Sequence, residues 1–144
     1  MNTVSSYSIK NYNNTAEAGL YTTGNDNPIP RYVLPDGSSV GRRINGAAIH
    51  FWVDINGPKK GPNRYGFDVF EFQISSKKNV VVPVKPTKLY TEEELESHRF
   101  PGLAGYPCST KSKQELNGMG CSYYAVNDIN PDDETKKYWE SLPW

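Results

Sequence analysis

The chain has 144 residues, carries 16 Lys and Arg against 16 Asp and Glu, and is 36% hydrophobic and 12% aromatic. This length suits one domain with its own core, and the balanced charge excludes a global field that would attract nucleic acid or an anionic membrane. No apolar run approaches the roughly 18 residues of a membrane helix, and the first residues lack the basic-then-apolar pattern of a signal peptide.

We therefore treat residues 1–144 as a single domain. Residues 1–30 are rich in Ser, Asn and Thr and predict an irregular N-terminal segment, in which a short helix over residues 3–12 is considered. Residues 31–44 predict a small β-hairpin, because Pro35-Asp36-Gly37 supplies a fixed φ and a glycine for the turn.

Residues 47–74 organise the rest of the chain and predict a long β-hairpin, because two apolar-alternating runs flank a polar, turn-rich insert. In the first run the predicted core face carries Ile49, Phe51, Val53 and Ile55, and the other face carries Ala48, His50, Trp52 and Asp54. In the second run the predicted core face carries Phe70, Phe72 and Ile74.

Three shorter elements follow. Residues 80–84 predict a strand, and Pro83 places it at a sheet edge. Thr91 with Glu94 matches a capping box, which predicts a helix from Thr91 to about residue 98 with a solvated acidic face. Residues 121–126 predict the last strand.

The chain ends in a predicted helix that starts with Asn130 as its cap and Pro131 at the first helical position. The fold class is therefore α+β: an antiparallel sheet of four or five strands centred on residues 47–74 and packed against one or more helices. Among the three candidate helices, we expect the terminal one to cover the sheet, because it carries Trp139 and Leu142.

The insert of the long hairpin is framed by oxygen-bearing side chains. Asp54 and Asp68 stand at its two ends, with Asn56 and Asn63 between them. Four hard oxygen donors on one loop suit a calcium ion, with loop carbonyls and water completing six to eight ligands. The same residue types also dominate ordinary turns through hydrogen bonds to their own backbone, so an Asx-turn interpretation stays open.

Catalytic motifs are missing from the sequence. It has two His and two Cys, with no zinc-protease motif, nucleophile elbow, phosphate loop or CxxC pair. We therefore expect no enzyme activity. Trp52 shares a predicted exposed face with His50, so these two residues are candidates for contact with a partner such as a glycan, although burial under the terminal helix is the alternative.

The segment DINGPKKGPNRYGFDVFEF and the later NGMGCSYYA resemble the soluble heads of type IV pilin-like and type II secretion pseudopilin-like proteins over residues 31–144. The chain has no Phe-Thr-x-x-Glu start and no long apolar N-terminal helix. Either such a helix has been removed from this sequence, or the resemblance is only to the architecture of the head. It implies a non-catalytic structural subunit of an extracytoplasmic filament, with other pilin or pseudopilin subunits, a secreted protein or a surface glycan as partners. A membrane link would come only through such a helix.

The two cysteines, Cys108 and Cys121, flank a polar loop that has few apolar residues to hold it by packing. A disulfide would fix that loop and remove about 3 kcal/mol of unfolded-state freedom. Inert buried thiols in a cytosolic protein are the alternative. The pilin-like resemblance also implies a disulfide here, together with an oxidising compartment.

Two other functions stay open. The first is a free-standing extracellular binding module for glycan or protein, which would use Trp52 and the tyrosines. The second is a small hydrolase whose site carries no recognisable motif.

Overall fold

The protein has an α+β architecture, which combines a six-stranded antiparallel sheet with short helices. It is described here by a computed structural model. The described residues are 2–4, 8–18, 22–23, 27–28, 31–45, 48–75, 79–87, 89, 91–96 and 106–144. No helix within these ranges is long and apolar enough to cross a membrane.

Ten strands occur in the described ranges. They are β1 (Asn2–Val4), β2 (Ile9–Lys10), β3 (Glu17–Ala18), β4 (Thr22–Thr23), β5 (Asn27–Pro28), β6 (Arg31–Val33), β7 (Ser39–Asn45), β8 (Ala48–Asp54), β9 (Val69–Ser75) and β10 (Val80–Pro83). Six of them form the main sheet in the order β1-β6-β7-β8-β9-β10, and β2–β3 and β4–β5 are separate pairs.

The main sheet is antiparallel throughout, with β7 and β8 at its centre. Trp52 of β8 lies opposite Glu71 of β9, and the two strands are joined by residues 55–68. The sheet has one strand more than the predicted maximum, because Asn2–Val4 pairs with β6. A helix over residues 3–12 is therefore wrong, since β1 and β2 fall within it.

The two faces of β8 are buried in the opposite sense from the prediction. The side chains that face the core are His50 at 7% exposed, Trp52 at 1% and Asp54 at 0%. Phe51 and Val53 are half-buried, and Ile55 is 54% exposed. The period-two alternation could not tell which face of β8 is buried, because the residues on both faces include large apolar side chains. Trp52 decides the outcome because its side chain has the largest area to bury.

Two apolar clusters form the core of the described residues. One packs on the Trp52 face of the sheet and comprises Ile9, Trp52, Tyr65, Val69 and Met119. The other includes Phe70, on the opposite face, and comprises Tyr12, Phe67, Phe70, Cys108, Cys121, Ala125 and Tyr138. Residues 106–144 contribute to both clusters, so the C-terminal third wraps around one end of the sheet.

Residues 119–127 are helical, which overturns the predicted last strand. A 3₁₀ turn, η1 (Met119–Cys121), leads into α2 (Ser122–Asn127). The Oγ of Ser122 accepts the N–H of Glu71 at 2.9 Å, and the N–H of Tyr123 donates to the carbonyl of Val84 at 3.1 Å. This docking of α2 against the backbone of the sheet overrides the strand preference of its tyrosines and valine.

The predicted terminal helix is also absent, because no helix occurs in residues 128–144. The cap itself forms: Asn130 Oδ1 accepts the N–H groups of Asp132 and Asp133 at 2.8 and 2.9 Å. Asp133 Oδ1 then accepts the N–H of Thr135 at 3.1 Å, and this local turn competes with helix propagation. Trp139 and Leu142 still pack on the second cluster, from irregular chain and not from a helix.

Two local predictions are confirmed. Helix α1 (Glu92–Glu96) begins with the capping box, in which Thr91 N–H donates to Glu94 Oε2 at 3.1 Å and Glu94 N–H donates to Thr91 Oγ1 at 3.2 Å. The predicted end of this helix near residue 98 lies outside the described residues. Strand β10 lies at the sheet edge and ends at Pro83, as expected for a residue without an N–H.

Candidate metal centre

The sheet brings both ends of the 55–68 loop together. Asp54 is the last residue of β8, and Asp68 immediately precedes β9. The N–H of Ile55 donates to the carbonyl of Asp68 at 2.8 Å, which closes the base of the loop. Asp54 is 0% exposed and Asp68 is 2% exposed. Two carboxylates that are distant in sequence therefore lie buried at the same loop base.

The Asp54 carboxylate shapes the first turn of the loop. Its Oδ1 accepts the N–H of Gly57 at 2.7 Å and that of Asn56 at 3.3 Å. Gly57 has a φ of +84°, and a Cβ placed there would lie 2.0 Å from the carbonyl oxygen of Gly37. Only glycine fits this position, because the backbone of the neighbouring turn occupies the space of a side chain.

The Asp68 carboxylate holds the far side of the loop. Its Oδ2 accepts the N–H of Asn63 at 2.8 Å, and its Oδ1 accepts the N–H of Arg64 at 2.7 Å. The Asx-turn interpretation is correct for Asp54, whose Oδ1 accepts the N–H groups of Asn56 and Gly57 directly after it. Asp68 instead accepts the N–H groups of Asn63 and Arg64, which precede it, and each of its two oxygens has a second acceptor site beyond these bonds.

The two asparagines are oriented by their amide nitrogens. Asn56 Nδ2 donates to the carbonyl of Gly61 at 3.2 Å, and Asn63 Nδ2 donates to the carbonyl of Pro58 at 3.1 Å. The Oδ1 atoms of both side chains are buried and have no hydrogen-bond partner among the described residues. A buried amide oxygen without a partner costs free energy, so these two atoms are the unsatisfied part of the loop.

The electrostatics of the loop favour a cation. Burial raises the pKa of Asp68 above its usual value, and the Asp54 carboxylate raises it further, although the amides of Arg64 and Asn63 act in the opposite direction. A divalent ion beside the buried Asp68 carboxylate would favour its charged form. Among the described residues, no three His, Cys, Asp or Glu side chains lie together in an arrangement that could hold a metal ion, so a metal here would also need amide or carbonyl oxygens.

Beside this loop lies a cavity of about 290 Å³. Its lining combines the turn before β7 with the first half of the loop, and consists of Val33, Gly37, Asn56, Gly57, Pro58, Lys59 and Lys60. The exposed lysines give it a positive rim.

The proposed partner-contact residues lie inside the protein. Trp52 belongs to the first apolar cluster. His50 Nδ1 lies 2.7 Å from Glu71 Oε1, and the side chains of His50 and Glu71 are both buried. An exposed contact surface built from Trp52 and His50 is therefore wrong. Glu71 alternates with the predicted core residues Phe70 and Phe72, and it is nevertheless 0% exposed.

Cys108 and Cys121 form a disulfide, with their Cα atoms 5.0 Å apart. Both residues are buried in the second cluster. The loop between them also holds a buried polar network, in which Asn117 Nδ2 donates to the carbonyls of Ser109 and Ser112 at 2.8 and 3.0 Å. The disulfide and the Asn117 bonds hold the loop together with the apolar packing of Met119.

Arg64 is a structural residue that the sequence analysis missed. Its side chain is buried, and its Nε and Nη2 donate to the carbonyl of Tyr12 at 2.8 and 2.5 Å. The same Nη2 donates to the carbonyl of Pro143 at 2.6 Å. An arginine in a turn-rich insert reads as a solvated charge, so the sequence held no signal for these long-range contacts.

Comparison of the chain with family models, curated proteins and solved structures finds no match. The function is therefore argued from the residues of the domain itself.

Proposed function

We propose that this domain is the non-catalytic globular head of a pilin-like or pseudopilus subunit that works outside the cytoplasm, and that its 55–68 loop binds calcium. The observation that carries the calcium site is the pair of buried, unpartnered amide oxygens of Asn56 and Asn63 on a loop whose base holds two buried carboxylates. Asp54, Asn56, Asn63 and Asp68 supply the side-chain oxygens.

The exposure of the sheet supports an assembly role. Phe51 lies opposite Phe72, so the two share the face that is turned away from Trp52. Both are only half-buried, and Val81, on the same face of the edge strand, is 60% exposed. A partly exposed apolar face of this kind suits packing against an apolar helix, as the pilin-like resemblance implies, whether that helix belongs to the same polypeptide or to a neighbouring subunit.

The disulfide supports a location outside the cytoplasm, because cytosolic reductants keep most thiols reduced. Its position, closing a loop in the C-terminal third, is also the position that the resemblance implies.

Thermal unfolding in calcium and in chelator tests the metal site. At a calcium concentration about a hundredfold above the dissociation constant, binding should add about 2.7 kcal/mol, or roughly 6–10 °C for a domain of this size. Magnesium should give a smaller shift, because it requires near-octahedral geometry. Equal melting temperatures in calcium and in chelator would remove the metal from the proposal.

Paired variants locate the ion. Asp54→Asn and Asp68→Asn should each abolish the calcium-dependent shift. Asp133→Asn is the matched control, because its carboxylate accepts bonds from Thr135 and contacts Lys136, outside the loop. A control variant that also lost the shift would place the ion elsewhere.

Fractionation of the native cells tests the assembly role. An antibody against this domain should detect it in sheared, sedimentable surface filaments, in contact with other subunits or cargo. Recovery only as free monomer in the supernatant would contradict the filament proposal.

The cavity beside the loop favours a second candidate, a free-standing binding module. Its lysine rim suits an anionic group on a glycan or protein, and this cavity replaces Trp52 as the candidate contact surface. Binding of an acidic glycan by the free monomer, lost in a Lys59→Ala/Lys60→Ala variant, would favour this candidate over the filament head.

A further inference from the structure

Residues 64–67 form a turn of the 55–68 loop, and the C-terminal segment, residues 138–144, packs on this turn. Tyr138 donates its hydroxyl to the carbonyl of Gly66 at 2.6 Å, and the ring of Trp144 meets the ring of Phe67 edge-on at 5.1 Å. The Arg64 guanidinium adds its bond to Pro143. Three successive contacts thus join one short turn to the C-terminal segment.

Arg64 connects this turn to the candidate metal centre. Its backbone N–H is held by Asp68 Oδ1 at 2.7 Å, while its side chain reaches Tyr12 and Pro143. The guanidinium also lies over the Phe67 ring, 3.9 Å from the centroid. The Asp68 carboxylate therefore holds the backbone from which the Arg64 side chain extends. If this carboxylate moves, the Arg64 side chain that holds the C-terminal segment moves as well.

We propose that calcium binding in the 55–68 loop strengthens the docking of residues 138–144, with Arg64 as the positioning residue that couples the two. This inference rests on the proposed calcium site. A cation between Asp54 and Asp68 would relieve their mutual repulsion and fix the Asp68 carboxylate, and hence the Arg64 backbone. By thermodynamic linkage, loosening the C-terminal segment must weaken calcium binding by the same factor.

Arg64→Gln separates this coupling from simple electrostatics. Removal of a positive charge near the site would by itself tighten calcium binding, because calcium and the guanidinium repel. Coupling predicts the reverse, a loss of calcium affinity of about fivefold or more in isothermal titration calorimetry.

Tyr138→Phe supplies a second variant that leaves the charge and the packing volume nearly unchanged. It removes only the hydroxyl that donates to Gly66, and it should also lower the calcium affinity. Tyr123→Phe is its control, because Tyr123 lies in α2, where its ring meets the Tyr124 ring edge-on at 5.4 Å.

Hydrogen exchange of the C-terminal peptide provides a readout that is independent of affinity. Calcium should slow amide exchange in residues 138–144 of the unsubstituted protein about fivefold or more, and should have little effect in Arg64→Gln. If calorimetry detects no calcium binding, the proposed metal site fails and this inference fails with it. If calcium binds but C-terminal exchange is unchanged, or Arg64→Gln binds as tightly as the unsubstituted protein, the coupling is overturned and the calcium site stands.

Discussion

The imidazole of His50 and the carboxylate of Glu71 lie 2.7 Å apart on neighbouring strands, and both side chains are buried. Ser122 of α2 holds the backbone of Glu71 as well, because its Oγ accepts the Glu71 N–H at 2.9 Å. The central sheet therefore contains a polar pair at a position where sequence alternation placed two surface residues.

Replacing only one residue of the His50–Glu71 pair should lower the free energy of unfolding substantially. His50→Leu leaves the Glu71 carboxylate buried without its imidazole partner, so we expect the free energy of unfolding in urea to fall by about 3 kcal/mol. Replacing both residues with Leu should cost clearly less than the two single changes added together. A double-mutant cycle with no interaction energy would show that the two side chains are not coupled.

Adding a side chain at Gly57 should destabilise the protein far more than adding one at Gly37, because the turn that contains Gly57 contacts the turn that contains Gly37. Gly57→Ala places a Cβ 2.0 Å from the Gly37 carbonyl oxygen at a φ of +84°, so we expect a loss of about 3 kcal/mol or more. Gly37→Ala is the matched control, because Gly37 has a similar φ of +90° and nothing within 4 Å of its added Cβ. It should cost only about 1–2 kcal/mol. Equal losses in chemical denaturation would contradict the close approach of the turns.

Reduction of the disulfide should loosen the C-terminal third. Its 13-residue separation predicts a loss of about 3 kcal/mol in the free energy of unfolding when reductant is added. A Cys108→Ser/Cys121→Ser variant should show the same loss and no further response to reductant. Mass spectrometry of protein purified without reductant should show a two-proton deficit, and free reaction of both native thiols with an alkylating reagent would contradict the bond.

The buried ring of Tyr12 predicts a loss of stability in alkali. Burial raises the pKa of Tyr12 to about 12, whereas in the unfolded chain the phenol titrates near its ordinary pKa of 10.0. The folded state therefore keeps a proton that the unfolded state releases. The stabilisation is complete below pH 10 and is lost as the pH rises towards 12.

Urea unfolding at several pH values between 9 and 12 measures this effect. The unsubstituted protein should lose roughly 2 kcal/mol more over that range than Tyr12→Phe, which has no phenol to titrate at this position. Parallel losses in the two proteins would assign the alkaline transition to other groups.

The candidate site was predictable from sequence in its composition but not in its geometry. Asp54, Asn56, Asn63 and Asp68 are turn-formers whose spacing along one loop is a local property. That the asparagine nitrogens bond to Gly61 and Pro58, leaving both Oδ1 atoms buried and unpartnered, depends on the folded path of the loop. The reach of Arg64 to Tyr12 and Pro143 depends on contacts 52 and 79 residues apart, which no local pattern encodes.

The sequence by itself determined the local elements of this protein. The Thr91 capping box, the Pro35-Asp36-Gly37 turn and the edge strand ending at Pro83 all form, because each depends on the backbone preferences of a few neighbouring residues. Only the tertiary structure decided which face of β8 is buried and whether residues 122–127 form a strand or a helix. In β8 the outcome depends on whether Trp52 or Phe51 is buried, and for residues 122–127 it depends on the packing of α2 on the backbone of β9. The free energy gained by such burial exists only once distant parts of the chain have come together.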